Sequence, residues 1–304
     1  MSKVKNIIIE ADLAGQRLDN FLLNKLKGVP KSKIYSIIRK GEIRVNSKRK
    51  KPSYKILEKD NIRIPPIDIS KREDKFIPSN IISILKESII FENSDYIAIN
   101  KPVGIASHGG SGVSIGIIEA IRNFGKDYRE AKLVHRLDKD TSGCQVIAKN
   151  NQFLRKCNSL ISERQVKKTY QTVVHGNWTS RNEIFEINLE KNSLMGNERV
   201  VSVDKGGKIA KTKIKKIDSS KNYTLLKCEL LTGRTHQLRV QLSFLNFPIV
   251  GDKKYGLKRE TVNYGSSIPK RMYLHSDSFI CNELKINLRT ESPKEFKKIL
   301  KNDD

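Results

Sequence analysis

The chain has 304 residues, of which 37% are hydrophobic, and carries 59 Lys and Arg against 33 Asp and Glu, a formal net charge of +26. No window approaches the roughly 18 apolar residues of a membrane-spanning helix, and the N-terminus does not read as a signal peptide. The four cysteines stand far apart, which argues against zinc or disulfide frameworks and favours a reducing cytoplasm. The basic excess indicates a polyanionic partner, most simply nucleic acid, although codon bias toward Lys accounts for part of it.

The first 75 residues hold 20 Lys and Arg against 9 Asp and Glu, a net charge of +11, and the other 229 residues share the remaining +15. Apolar residues recur at helical spacing from Leu18 to Leu26. A second helix has Ser32 as its candidate cap and Gly41 at its end. The stretches "EIRVN" and "NIRIP" alternate as half-buried strands do, so we predict two short helices and a small sheet.

This arrangement resembles the S4 RNA-binding domain. The resemblance rests on "RLDNFL", "SKIYSIIRKGEIRVN" and "YKILEKDNIRIP", and it covers residues 15–65 of a domain that we place at 1–75. A solvated basic face without RNA is the alternative. The resemblance implies that cations of this segment contact RNA phosphates, and the candidates are Arg17, Lys31, Lys33, Arg39, Lys40, Arg44, Lys48, Arg49, Lys50 and Lys51.

After two prolines and a charged run, residues 76–88 are interpreted as a linker. From "SIIFENSDYIAIN" onward, apolar strands are separated by Gly, Asn and Asp turns. The patterns predict helices at "NNQFLRKCNSLISERQV" and "RTHQLRVQLSFL", and strands at "KKTYQTVVHG" and "YTLLKCELLTG". Because helices and strands are mixed without a strict β-α-β order, we predict an α+β domain over residues 89–304.

The stretch "VHRLDKDTSGCQV", residues 134–146, is either a solvated turn or a site of chemistry. A hydrolase elbow at "GVSIG", Gly112 to Gly116, lacks the hydrophobic strand that must precede it. A Ser142-His135-Asp138 triad would take its members from one short run, whereas triad residues converge from separate segments. The sequence also lacks a phosphate-binding loop and the signature of a zinc deaminase.

"HRLDKDTSG" with the following "CQVIAKN" closely resembles the central motif of RluA-type pseudouridine synthases. "NKPVGIASH" resembles the first motif of that family, and "KKTYQTVVHG" resembles its tyrosine motif. "LLTGRTHQLRVQL" and "PIVGDKKYG" resemble its arginine motif and closing loop. The blocks keep the family's order over residues 95–256. The resemblance implies a mixed α+β fold with a mainly antiparallel sheet and an isomerase that acts on 23S ribosomal RNA.

The resemblance also implies the residue roles. Asp138 is the catalytic carboxylate, Tyr170 stacks on or deprotonates the target base, and Arg136 takes the place of the flipped uridine. Arg239 is the cation that keeps Asp138 ionised in a half-buried cleft, with Arg234 left open as an alternative partner.

Two neighbours of Asp138 receive structural roles. Asp140 stands where a turn residue bonds its own backbone, and His135 points to the opposite side of an extended segment.

Pseudouridine is an isomer of uridine, so the implied reaction needs no cofactor and no metal. We expect a cytoplasmic monomer that binds 23S ribosomal RNA and does not bind a membrane. Two alternatives stay open: a synthase that acts on tRNA, and a non-catalytic S4-type RNA-binding or ribosome-assembly protein.

Overall fold

The computed structural model describes residues 4–26, 28–67, 77–110, 115–181, 183–191, 200–257 and 270–303. The chain divides into two compact units, unit 1 at residues 1–76 and unit 2 at residues 77–304. Within the described ranges, no helix is both long and apolar enough to span a membrane.

Unit 1 consists of two helices and a small sheet. Its elements are β1 (Lys5–Ile8), a 3-10 turn (Ala11–Leu13), α1 (Leu18–Lys25), α2 (Lys31–Lys40), β2 (Arg44–Val45) and β3 (Asn61–Ile64). The strands form an antiparallel sheet in the order β1-β3-β2. The apolar faces of both helices and of β3 meet in one core, which includes Leu22, Ile34, Ile37 and Ile62.

The ends of α2 show one correct and one wrong prediction. Gly41 ends the helix in the left-handed conformation, with φ at 72°, as predicted. Ser32 does not cap the helix, because α2 already begins at Lys31, and the cap position is held by Pro30, which makes no side-chain capping hydrogen bond.

Unit 2 holds the remaining elements. Its helices are α3 (Ser79–Glu87), α4 (Ile117–Ile121), α5 (Asn151–Ser162), α6 (Gln237–Phe244) and α7 (Glu295–Lys301), with 3-10 turns at Lys126–Tyr128 and Asn282–Leu284. Its strands are β4 (Ile89–Glu92), β5 (Tyr96–Lys101), β6 (Lys132–Leu133), β7 (Ser142–Ala148), β8 (Lys167–His175), β9 (Ile184–Lys191), β10 (Val201–Val203), β11 (Lys208–Ser219), β12 (Tyr223–Leu230), β13 (Leu274–Cys281) and β14 (Ile286–Arg289).

The described strands of unit 2 form one sheet in the order β10-β9-β11-β12-β8-β13-β7-β5-β4, with β14 beside β13 and β6 beside β7. All pairs are antiparallel except β13 with β7, which is parallel. The prediction of an α+β fold with a mainly antiparallel sheet is confirmed.

The prediction of a linker at 76–88 is wrong from residue 77 onward, where unit 2 begins. Most of that stretch is α3, and its Leu85 is fully buried against Ile97, Ile99 and Ile117 of unit 2. The helix folds there because its apolar positions cover part of the sheet, so these residues belong to unit 2.

Three elements at the centre of unit 2 position the site. β7 follows the segment 134–141, here called the Asp138 loop; β8 carries Tyr170; and α6 carries Arg239. They share one apolar cluster, in which Leu137 and Tyr170 pack with Leu238 and Leu274. The three side chains that the sequence predicts as functional therefore project from a single packed body.

Candidate active site

The Asp138 loop is fixed by the residue that precedes the carboxylate. Ser107 Oγ donates to Leu137 O at 2.7 Å and accepts from Leu137 N at 3.0 Å, while Gln145 Nε2 donates to the same hydroxyl at 2.9 Å. After Asp138, the chain turns, with Thr141 N donating to Asp138 O at 3.1 Å. The backbone is held on both sides, and the Asp138 side chain keeps 28% exposure.

Lys101 ties the "NKPVGIASH" segment to this loop. It is fully buried, and its Nζ donates to Pro102 O, Ile105 O and Lys139 O at 2.9, 2.7 and 3.0 Å. Burial lowers the pKa of Lys101 to about 7, although the Asp140 and Asp138 carboxylates oppose the shift. Three carbonyl acceptors match the three N–H groups of an ammonium ion, so the lysine joins two backbone segments.

Arg239, in the first turn of α6, is the cation that reaches Asp138. Its Nη1 donates to Asp138 Oδ2 at 3.0 Å. Its Nε and Nη2 donate to the two oxygens of Asp252, both at 2.8 Å. Burial alone would lower the pKa of Arg239, but Asp252 and Asp138 raise it above its usual value, so the guanidinium stays charged.

Asp252 is a site residue that sequence reasoning missed. Burial alone would raise its pKa, yet hydrogen bonds from Arg239 and from the backbone N–H groups of Lys254 and Tyr255 lower it below its usual value. Its bidentate bonds fix the plane of the guanidinium, which leaves Nη1 directed at Asp138. The only sequence signal was the acidic position inside "PIVGDKKYG".

Tyr255 and His236 complete the surroundings of the ion pair, and neither was predicted. The Tyr255 ring lies 5.1 Å from the Arg239 guanidinium carbon, and its hydroxyl bonds to His236 Nδ1 at 2.8 Å. His236 Nε2 lies 3.7 Å from Asp138 Oδ1. Burial lowers the pKa of His236, although Asp138 opposes the shift, so a neutral ring is favoured beside the carboxylate.

Tyr170 lies in β8 and is buried against Leu137 and Leu274. Burial raises the pKa of its phenol above the usual value, and the Asp138 charge adds to the shift while a hydrogen bond with Ser276 opposes it. The phenol is therefore protonated at neutral pH. Of the two roles implied by the resemblance, this environment favours stacking over deprotonation of the base.

Arg234, the alternative partner, does not contact Asp138. It is exposed, and its Nε donates to Ile209 O at 3.0 Å. Asp140 is also exposed and lies in the turn as predicted, but its side chain makes no hydrogen bond within the described residues, because Asp138 O and Thr141 N close the turn. Arg136, by contrast, is exposed and lines the same opening as Asp138.

The structure tests one of the two hydrolase alternatives, the Ser142-His135-Asp138 triad. Ser142 bonds to His275 and Arg271, not to His135, so the proposed triad does not form. His135 instead accepts from Val146 N at 3.1 Å and stacks on Phe279 at 5.1 Å, which is a structural role. The "GVSIG" stretch lies largely outside the described residues.

A cleft of about 1140 Å³ opens over these groups and is lined by Asp138, Tyr170 and Arg239, with Arg136, Lys168 and Arg234 around them. Pockets for small molecules have volumes of roughly 300–1,000 Å³, so this cleft has room for part of a polymer. In the part of the chain that the structure describes, no three His, Cys, Asp or Glu residues are grouped as metal ligands would be.

The ten predicted RNA-binding cations all lie in unit 1 and are exposed, except for the half-buried Arg44 and Lys50. Four belong to α2, and Lys48 to Lys51 follow β2. The Arg49 side chain lies directly over Gly41, which joins this run to the C-terminal end of α2. Arg17 stands apart from the others because its guanidinium pairs with Asp19 at 2.6 Å.

Comparisons with known proteins agree with this geometry. Residues 95–244 match the model of the family described as RNA pseudouridylate synthase, and residues 16–62 match the S4 domain. Ribosomal large subunit pseudouridine synthase C of Pasteurella multocida is 43% identical over 303 residues, covering 98% of this chain and 93% of that protein. The protein of the same name in Escherichia coli K12 is 42% identical over 278 residues, covering 90% and 87%.

A solved structure shares the fold. Human RNA Pseudouridylate Synthase Domain Containing 4 aligns with a TM-score of 0.57 at 24% identity, covering 73% of this chain and 95% of that one. Both resemblances drawn from the sequence motifs are confirmed.

Proposed function

Because the chain belongs to the RNA pseudouridine synthase family, we propose that it isomerises specific uridines of 23S ribosomal RNA in the large subunit. Its relatives named for the large ribosomal subunit match it over nearly their whole length, S4 domain included. The observation that carries the proposal is the Asp138 carboxylate, exposed to the cleft and held by Arg239 beside the Tyr170 ring.

The reaction breaks the N1–C1′ bond of uridine and forms a C5–C1′ bond, while the C5 proton is lost and N1 gains one. Atoms and electrons balance without a cofactor or a metal. A stacked base hides these atoms, so the base must leave the helix at a cost of about a few kcal/mol. Phosphate contacts made by exposed cations of unit 1 offset that cost.

Asp138 acts as nucleophile or base, and the hydrogen bond from Arg239 Nη1 keeps its carboxylate oriented. Tyr170 stacks on the target uracil, and Arg136 occupies the gap that the flipped base leaves. The two hydrogen bonds from Arg239 to Asp252 keep the guanidinium from rotating, so that Arg239 can hold the Asp138 carboxylate in one orientation. Attack at C1′, attack at C6 and abstraction of the 2′ proton all use the same carboxylate.

The proposal also includes a cytoplasmic location and a monomeric enzyme. The four cysteines are buried free thiols, which suits a reducing compartment. Light scattering of the purified full-length chain tests the monomer, with a mass near 34.7 kDa expected.

The test uses three RNA substrates with the full-length chain: a 23S transcript, a 16S transcript and pooled tRNA transcripts. Pseudouridine is mapped by chemical adduct formation and primer extension. We expect modification at discrete positions of the 23S transcript only. If only tRNA is modified, the protein is a pseudouridine synthase with tRNA as its substrate. If the protein binds RNA but forms no pseudouridine, it is an RNA-binding protein without this activity.

A further inference from the structure

Lys168 is a cleft cation that has no partner among the residues that the structure describes. It lies two residues before Tyr170 on β8, so the two side chains project from the same face of the strand. Both line the cleft together with Asp138. The Lys168 Nζ lies 3.6 Å from where a Cβ on Gly233 would stand, which places it against the turn before α6. Its position is therefore inside the cleft.

The other cations around the site are paired with carboxylates, bonded to backbone carbonyls or exposed to solvent. Arg239 is bound by two carboxylates, and Lys101 by three carbonyls. Lys167, on the opposite face of β8, pairs with Glu229 at 3.0 Å. Lys168 is half-buried and makes no hydrogen bond or ion pair with any other residue that the structure describes.

An unpaired cation in a half-buried position costs free energy, because its hydration is partly lost and nothing replaces it. Burial alone lowers the pKa of Lys168. The pKa of the His135 ring is lowered mainly by burial, and the Lys168 charge adds to that shift. A negative ligand entering the cleft would supply the missing partner.

Two kinds of anionic oxygen exist in the RNA substrate, those of the phosphates and those of the reacting uracil. Phosphates are strongly hydrated and suit the exposed cations Arg164 and Arg234 at the opening of the cleft. Lys168 is less exposed than these and shares its strand face with Tyr170, on which the base is proposed to stack. Its lower exposure therefore favours the uracil oxygens over the phosphate oxygens as the partner of Lys168.

We propose that Lys168 is a further catalytic residue, which stabilises the negative charge that develops on the uracil oxygens during isomerisation. This inference rests on the proposed function. When the C1′–N1 bond breaks, its electron pair leaves with the uracil, and the charge spreads over N1, O2 and O4. The electron-poor C1′ is then stabilised in one of two ways: the Asp138 carboxylate bonds to C1′, or Asp138 takes the 2′ proton and a C1′–C2′ double bond forms.

If Asp138 instead adds to C6, the displaced pair moves through C5 to the O4 enolate, so the uracil is again the anion. In every course, the C1′–N1 bond is broken and C5 bonds to C1′. Asp138 gives up its bond to C1′ or C6, or returns the 2′ proton, and C5 releases its proton while N1 gains one. Since a fixed cation acts only as charge appears, its contribution falls on the chemical step and not on RNA binding.

The test compares Lys168→Met with Lys167→Met in the full-length chain. Lys167→Met removes the same charge one residue away, from the face that Glu229 occupies. We expect Lys168→Met to slow single-turnover isomerisation at saturating RNA by about 100-fold, as loss of one oxyanion donor does. The Kd for RNA should stay within about twofold, since phosphate contacts dominate affinity. Lys167→Met should keep the wild-type rate.

The melting temperature separates catalysis from folding. Because Lys168→Met removes a half-buried charge that has no partner among the described residues, the variant should melt at or above the wild-type temperature. Lys168→Arg keeps the charge and should recover part of the lost rate. Loss of rate in both variants together with a lowered melting temperature would assign a structural role and overturn the proposal.

Two other results would also overturn it. An unchanged rate in Lys168→Met would remove any catalytic role. A weaker Kd, with the slope of log affinity against log salt flatter by about 0.7–0.9 and a normal rate at saturation, would identify a phosphate contact. If the wild-type chain forms no pseudouridine at all, the proposed function fails instead, so the two failures are distinct.

Discussion

Unit 1 and the cleft of unit 2 use positive charge in opposite ways. In unit 1, cations such as Lys48, Lys51 and Arg39 stand exposed around a small apolar core. In unit 2, Arg239 of the cleft is buried between two carboxylates, and Lys101, which does not line the cleft, is fully buried among three carbonyls. The first arrangement attracts a polyanion at long range, and the second fixes geometry within a few ångströms.

The difference has a measurable consequence. Exposed charges are screened by salt over about 8–10 Å at physiological ionic strength, whereas buried pairs are screened far less. Changes in unit 1 should therefore alter salt dependence and affinity, and changes in the cleft should alter rate and stability.

The largest expected effect comes from Asp138→Asn. It should reduce isomerisation by at least about 10³-fold, because the substitution removes the reacting carboxylate while preserving its shape. RNA affinity should change by less than about tenfold, since removing one anion leaves the phosphate contacts intact. Single-turnover assays and filter binding measure the two quantities.

The matched control is Asp140→Asn, two residues away and exposed in the same loop. It should retain most of the wild-type rate, because it makes no contact with Arg239 within the described residues. Normal activity in Asp138→Asn together with loss in Asp140→Asn would exchange the roles of the two aspartates.

Breaking the arginine clamp should lower both stability and rate. Arg239→Leu leaves the Asp252 carboxylate buried without its cation, with 0% of that side chain exposed. The free energy of unfolding should fall by about 3–5 kcal/mol, as for other half-broken buried ion pairs. Isomerisation should fall by at least about 100-fold, because Asp138 loses its only guanidinium contact among the described residues.

Adding Asp252→Asn to Arg239→Leu separates the two effects. The amide is neutral, and its oxygen can still accept from the Lys254 and Tyr255 backbone, so more than half of the lost stability should return. The rate should not return. Urea denaturation of the single and double variants measures this, and a double variant as active as wild type would refute the role of Arg239.

Much of this architecture was predictable from the sequence, and particular residues show why. The helices of unit 1 follow from apolar spacing, and Gly41 ends α2 because only glycine adopts its φ without strain. Asp138, Tyr170 and Arg239 were named from motif resemblance, and the structure brings all three to one cleft. Local pattern and motif order carry that information.

Contacts between distant segments were not predictable. Nothing in "PIVGDKKYG" distinguishes Asp252 from an ordinary loop acid until the closing loop packs against α6. The stretch containing α3 read as a linker because the core that buries Leu85 is formed by strands from other parts of the chain. Lys168 belongs to the motif "KKTYQTVVHG", yet only its partial burial and its lack of a partner among the described residues mark it as unusual.

Lys101 offers a smaller effect that depends on pH. Its folded-state pKa of about 7 lies below the ordinary value of 10.5, so between these values the unfolded chain holds the proton more tightly. Wild-type stability relative to Lys101→Met should therefore rise as pH increases above about 7, by at most about 1.4 kcal/mol per pH unit. Below pH 7 this dependence should disappear.

Urea denaturation at pH 6, 7, 8 and 9 measures the difference between the two proteins. Lys139→Met, at an exposed neighbouring position, is the control and should show no such trend. A constant difference between wild type and Lys101→Met across this range would mean that the buried amine keeps its ordinary pKa.

The smallest expected effect on chemistry belongs to the run Lys48 to Lys51. Changing all four cations to Gln should flatten the slope of log affinity against log salt by as much as about 3, at roughly 0.7–0.9 per lost phosphate contact. The turnover rate at saturating 23S RNA should stay within about twofold, because Asp138 and Arg239 lie in unit 2.

A control that removes equal charge from α7 and the residue directly before it uses the four exposed residues Lys294, Lys297, Lys298 and Lys301. If both quadruple variants flatten the slope equally, net charge governs binding and the contrast between the two regions fails. If only the Lys48 to Lys51 variant flattens it, those four cations contact the RNA.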